Sequence, residues 1–138
     1  MAAPRPQPRF PEPDTQPFWE ATKRHELTYQ TCNACNAVIF YPRRHCTECG
    51  SRDTTWRVSR GEGTVYTFSI VMQSRNPAFA ELVPYVLAYV DLDEGFRMMT
   101  NIVNVADPVN NMQCGMRVRL HWQDQGDGAI SLPLFVPA

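Results

Sequence analysis

The chain has 138 residues, 43% of them hydrophobic and 20% charged, and a formal net charge of −1. Those values suit a soluble globular protein with one ordinary domain or two very small ones, and they exclude a strongly basic nucleic-acid-binding chain. No run approaches the roughly 18 apolar residues that a membrane-spanning helix needs.

The small net charge is unevenly spread. Residues 21–60 carry seven basic and three acidic side chains, whereas residues 61–138 carry four and eight. The basic middle suits phosphates or an acidic partner, or is simply a solvated face. The opening MAAPRPQPRFPEPD has no apolar stretch of the kind a secretory signal requires, so a reducing cytoplasm is the expected compartment. There, paired C-x-x-C motifs bind metal more often than they form disulfides.

Residues 1–13 contain Pro4, Pro6, Pro8, Pro11 and Pro13. Such a segment favours extended conformations and reads as an arm that is disordered or lies along a partner. Residues 14–27 (DTQPFWEATKRHEL) read as a helix, with Asp14 or Thr15 to cap it and Pro17 in its first turn. Its large apolar residues are Phe18 and Trp19. They either pack on the rest of the chain or anchor a partner subunit. Residues 28–60 form a cysteine module. Short strands at 27–31 and 38–41 flank its first cysteine pair, and Trp56 and Val58 mark a third.

From Gly61 the pattern becomes β. Residues 64–72 (TVYTFSIVM) read as a strand, and 76–82 (NPAFAEL) as one short helix ended by Pro84. Residues 85–92 and 96–103 read as two strands joined by Asp93-Glu94-Gly95. After a connection over 104–115, residues 116–123 alternate cleanly, with Val118, Leu120 and Trp122 on one face. A last strand at 130–136 is interrupted by Pro133, which predicts a sheet edge. The fold class is therefore mainly β with an N-terminal helix, and the strand count suits a small five-stranded barrel such as the OB-fold over 61–138.

The strongest motif is C-x2-C-x10-C-x2-C, on Cys32, Cys35, Cys46 and Cys49. Each C-x-x-C turn presents two thiolates, and two turns facing each other make a tetrahedral site that suits Zn2+. Iron in a rubredoxin-like site uses the same ligands. Asn36 and Gly50, just after the two pairs, suit the positive φ that such turns need. Four protein ligands leave no open position, so the metal is structural. A thioredoxin-like dithiol would want one C-x-x-C at a helix start in an α/β context. Between the knuckles, Arg43 and Arg44 either bind a phosphate or are solubilising charge.

No catalytic constellation is legible. Cys114 reads as a small semi-buried residue, and His25, His45 and His121 fall in no motif with it. No G-x-S-x-G, Walker A, GxGxxG or H-E-x-x-H pattern occurs. A nucleic-acid-binding module is the competing reading, with Tyr66, Phe68, Tyr85 and Tyr89 to stack bases. The acidic second half would repel a polyanion, which weighs against it.

The chain combines a helix bearing Phe-Trp-Glu, the four-cysteine ribbon, G-x-G-T-V-Y-T-F, Pro-Tyr-x5-Asp-Leu-x-Glu-Gly and Cys-Gly-Met-x-Val. In that order these resemble the rubredoxin-like zinc-ribbon plus OB-fold family (DUF35 type), over roughly residues 15–136. Cys114 departs from the aliphatic residue that the family often has before Gly-Met. The resemblance implies a zinc ribbon over 28–60 followed by an OB barrel. It also implies a non-catalytic accessory subunit of acyl-CoA enzymes: thiolase-superfamily acyltransferases, thiolases and aldolases, 3-hydroxy-3-methylglutaryl-CoA synthase-like enzymes, or hot-dog-fold hydratases. In such a hetero-oligomer the partner carries the catalytic residues, the chain helps complete a substrate or CoA channel, and Arg43 or Arg44 meets CoA phosphates. Phe18 and Trp19 then gain a role as partner anchors.

Overall fold

The computed structural model describes residues 4–9 and 12–138. In chain order the elements are α1 (Gln16–Thr22), β1 (Thr28–Cys32), β2 (Val38–Ile39), β3 (Thr54–Val58), β4 (Glu62–Val71), β5 (Tyr85–Leu92), β6 (Arg97–Ile102), α2 (Pro108–Asn111), β7 (Arg117–Asp124) and β8 (Ser131–Pro137). The first three strands form a small antiparallel sheet in the order β2-β1-β3. The other five close into a barrel in the order β4-β5-β6-β8-β7.

Alternation along the strands builds the barrel interior. Val86, Ala88, Val90 and Leu92 of β5 are buried, as are Met98, Thr100 and Ile102 of β6, while Leu87, Tyr89 and Met99 face outward. That is the period of two expected where one face of a sheet is covered. Gly63 permits a close approach of β4 to β5, since a Cβ there would lie 2.5 Å from the Asp91 carbonyl oxygen.

The barrel core continues into the ribbon. Phe18, Leu27 and Tyr29 belong to the same buried cluster as Val65, Val90 and Phe135. Tyr29 stacks on Phe96 with ring centroids 5.0 Å apart, and Phe40 lies 4.8 Å from the same ring. Glu94 locks the junction. Its carboxylate accepts from the Ser59 hydroxyl at 2.7 Å and from the Arg60 N–H at 2.8 Å.

Several expectations need correction. The helix spans Gln16–Thr22 rather than 14–27, because the chain turns through His25 at φ 58° and β1 begins at Thr28. Thr15 takes the N-cap position, but its hydroxyl bonds to the Glu12 carbonyl instead of capping a helical N–H. Residues 76–82 form hydrogen-bonded turns, not a helix. Seven residues are too few to repay helix nucleation without a packed face. Pro133 does not mark a free edge, since β8 pairs with β7 on one side and β6 on the other. The proline is accommodated because β6 and β8 pair only at Ile102 and Phe135, so the ladder asks nothing of residue 133 on that side.

The described part of the proline-rich arm touches the chain's own barrel at two points. Arg5 donates to the Asn101 side chain at 3.3 Å, and Gln7 to Gln125 at 3.1 Å. Pro11 lies outside the described residues.

Candidate metal centre and the clefts beside it

The two cysteine turns repeat one backbone pattern. The N–H of Asn36 bonds to the Cys32 carbonyl at 2.9 Å, and that of Gly50 to the Cys46 carbonyl at 3.0 Å. The N–H of Cys32 reaches the Ala37 carbonyl, as the N–H of Cys46 reaches that of Ser51. Asn36 (φ 64°) and Gly50 (φ 78°) supply the left-handed residue that closes each turn.

These turns bring the four sulfurs within 4.8 Å of one another. The Cys32–Cys49 and Cys35–Cys46 sulfur pairs are 3.6 Å apart. Tetrahedral Zn–S bonds of about 2.3 Å place sulfurs about 3.8 Å apart, so the spacing fits one ion. A disulfide would need sulfurs about 2 Å apart, and all four thiols are free. The electrostatics point the same way. Backbone N–H groups of Cys49 and Glu48 hold the Cys46 thiol down to about 7. At Cys35 the N–H of Ala37 also favours the thiolate, but crowding by Cys46 and its neighbours pushes the thiol up to about 12. Four thiolates this close need a cation between them. Two of the ligands are buried and two exposed, and a closed four-cysteine set supplies folding energy rather than an open coordination site.

Arg43 and Arg44 sit beside this centre in a cleft of about 220 Å3, with Gln30, Thr54, Trp56 and Asp14. The Gln30 amide fixes the loop by accepting from the Arg43 N–H and donating to its carbonyl, both at 2.9 Å. Both arginines are exposed. Among the described residues neither has a carboxylate within ion-pair distance.

Phe18 and Trp19 part company. Phe18 is 5% exposed and packs on Trp19 and Phe40, so it takes the core role rather than that of an anchor. Trp19 is half-buried and lines a larger, apolar groove of about 490 Å3. The groove lies over the seam where β6 and β8 diverge. Sequence reasoning missed it because its walls come from the arm, α1, the ribbon, β5, β6 and β8. At the seam the Tyr41 hydroxyl accepts the Met99 N–H at 2.9 Å, and the Thr100 hydroxyl donates to the Pro133 carbonyl at 2.8 Å. Side chains thus fill positions that a full ladder would occupy.

His25 and His45 are engaged elsewhere. His25 Nε2 lies 2.7 Å from an Asp124 oxygen, and His45 Nε2 accepts from Arg52 at 2.9 Å. Cys114 is exposed, not semi-buried.

A four-cysteine ribbon leading directly into a five-stranded barrel defines a zinc-ribbon and OB-fold protein. Two family models match in the same order: the rubredoxin-like zinc ribbon domain of ChsH2 on residues 19–55, and the C-terminal OB-fold domain of ChsH2 on residues 56–123. A DUF35 domain-containing scaffold protein of Methanothermobacter thermautotrophicus is 31% identical over 79% of this chain and 84% of its own length. The chain belongs to the DUF35 family. It is also 38% identical, over 88% of its length, to a probable enoyl-CoA hydratase alpha subunit of Thermomonospora curvata, of which it spans only 37%. Among solved structures, a chain of the Ltp2-ChsH2(DUF35) aldolase superposes with a TM-score of 0.82 at 35% identity, covering 94% of this chain and 98% of that one.

Proposed function

We propose that this chain is a non-catalytic accessory subunit of an acyl-CoA enzyme, working in the cytoplasm on a thiolase-superfamily partner: an acyltransferase, a thiolase or an aldolase. The observation that carries the reading is its end-to-end similarity to a chain of an aldolase. The similarity to a hydratase alpha subunit supports an acyl-CoA setting. In this reading the partner performs acyl transfer, or forms or breaks the C–C bond. The ribbon and barrel brace it and complete its substrate channel.

Within that assembly, Arg43 and Arg44 meet the phosphates of CoA. Two exposed guanidinium groups without carboxylate partners among the described residues, on a loop pinned by Gln30, are suited to a phosphate. Trp19, which lines the groove, is the one of the two anchor candidates that remains for a partner to grip.

The test is co-expression with a thiolase-like enzyme encoded beside this gene. The expected result is co-purification on a single tag and a partner activity that depends on this chain. The double substitution Arg43→Ala and Arg44→Ala should raise KM for the acyl-CoA about tenfold, as loss of charge-assisted contacts does, while the complex stays intact. Separate elution with an indifferent partner activity refutes the subunit role. An unchanged KM refutes the phosphate contact alone.

A further inference from the structure

The groove over the β6–β8 seam carries more than an interface. Its volume of about 490 Å3 is in the range of small-molecule sites. Its lining is predominantly apolar, with Trp19, Phe40, Leu87, Met98, Leu132 and Leu134 among its residues. Met98 and Leu134 are almost wholly buried, whereas Leu87 is 38% exposed at the outer side.

The polar groups at the groove are arranged unequally. Thr15 and Thr100 donate their hydroxyl protons to backbone carbonyls. Asn101 accepts from Arg5 and donates to the Val86 carbonyl. The Tyr41 oxygen accepts from the Met99 N–H, which leaves its own proton free to donate. Arg5 has the largest unspent capacity. Its guanidinium is held by the long bond to Asn101 and lies 5.4 Å from the centre of the Phe79 ring. It is half-buried, and among the described residues no carboxylate lies within ion-pair distance. Burial lowers its pKa, the mark of a cation that has lost water without gaining a counter-charge.

An apolar cleft with unspent donors and one under-compensated cation is complementary to an amphipathic anion. We propose that this groove binds a medium-chain carboxylate, the alkyl chain lying along Trp19, Met98 and Leu134, and the head group on the Arg5 guanidinium with the Tyr41 hydroxyl as second donor. A neutral chain of the same length would fill the groove but leave Arg5 uncompensated. Selectivity for the charged head over the neutral one is therefore the signature of the site.

The test uses the full zinc-loaded chain alone, so its outcome is independent of whether any partner subunit exists. Decanoate and decanol are titrated separately, below their aggregation limits, and followed by calorimetry and tryptophan fluorescence. Decanoate should bind saturably, about tenfold tighter than decanol, the factor that a charge-assisted hydrogen bond supplies. Arg5→Gln should abolish that preference while leaving decanol binding unchanged. Leu87→Trp, at an exposed strand position that tolerates bulk, should weaken both ligands. Zinc content and circular dichroism confirm that each variant is folded. Equal affinity for the two probes, or a preference that survives Arg5→Gln, overturns the assignment. Absence of saturable binding by either probe also overturns it, and leaves the groove to an apolar side chain of a protein partner.

Discussion

At the scale of single residues, Glu94 does the most with one carboxylate. Its two oxygens hold the end of the ribbon, through Ser59 and the Arg60 N–H, to the turn between β5 and β6, and its side chain is 13% exposed. Removing it strands the Ser59 hydroxyl in a poorly hydrated place and frees the more exposed Arg60 N–H. Glu94→Ala should therefore cost about 1–3 kcal/mol in chemical denaturation; a loss below measurement error would mean that the junction is held by ring packing alone. In the sequence, Glu94 is legible only as a hairpin residue, because its partners lie 34 and 35 positions away. The cysteines are the opposite case. Four identical ligands at fixed spacing carry their geometry in the chain itself, so Cys32, Cys35, Cys46 and Cys49 are readable before any fold is known. Arg5 is invisible to that kind of reading, since one arginine among prolines has no pattern to betray it.

Among the elements, the ribbon is built around its four cysteines, and a polar latch follows α1. Cys32, Ile39 and Cys46 make up the buried cluster of the knuckles, too small to hold β1 and β2 together unaided. Cys46→Ser should abolish stoichiometric zinc and lower the melting temperature together. Full zinc content in that variant would show that three thiolates suffice. The latch lies just beyond α1. His25 stacks on Trp122 with centroids 5.4 Å apart and meets Asp124, which also accepts from Ser131 at 2.6 Å. The Ser131 hydroxyl, then His25, holds the Asp124 carboxyl below its ordinary value. A depressed carboxyl stabilises the fold at pH values above its unfolded pKa, about 3.9, and that contribution is lost as pH falls through the folded value. Asp124→Asn should melt below the wild type at pH 7, and the two curves should converge as the pH drops under about 4. A gap that stays constant with pH would assign the effect to shape rather than charge. Strand alternation made β5 and β7 legible. The expected helix at 76–82 fails because good helix formers in so short a run do not outweigh Asn76, whose side chain caps the Ala78 N–H at 2.9 Å.

For the molecule as a whole, ribbon and barrel share one interior. Phe18, Leu27 and Tyr29 precede the barrel in sequence but lie in its main buried cluster, where Tyr29 and Phe40 cover Phe96. A fragment of residues 61–138 should therefore expose Phe96 and associate or lose its near-ultraviolet dichroism; a monodisperse fragment with native dichroism would show that the barrel stands alone. The order of modules was legible from the switch between cysteine spacing and strand periodicity. Their fusion into one core was not, because it depends on which faces meet. The groove was hidden for the same reason: it exists only once segments from both ends of the chain converge.

Mechanically, the barrel is a hoop with one weak link. Six register pairs join β5 to β6 and seven join β7 to β8, but a single pair joins β6 to β8. Thermal opening concentrates where a ladder is thinnest. At that gap the ribbon reaches across with Tyr41, whose hydroxyl stands in for a missing strand partner of Met99. The metal knuckles thus act at a distance as a splint, and the rate at which the Met99 amide exchanges with solvent should report on the zinc site.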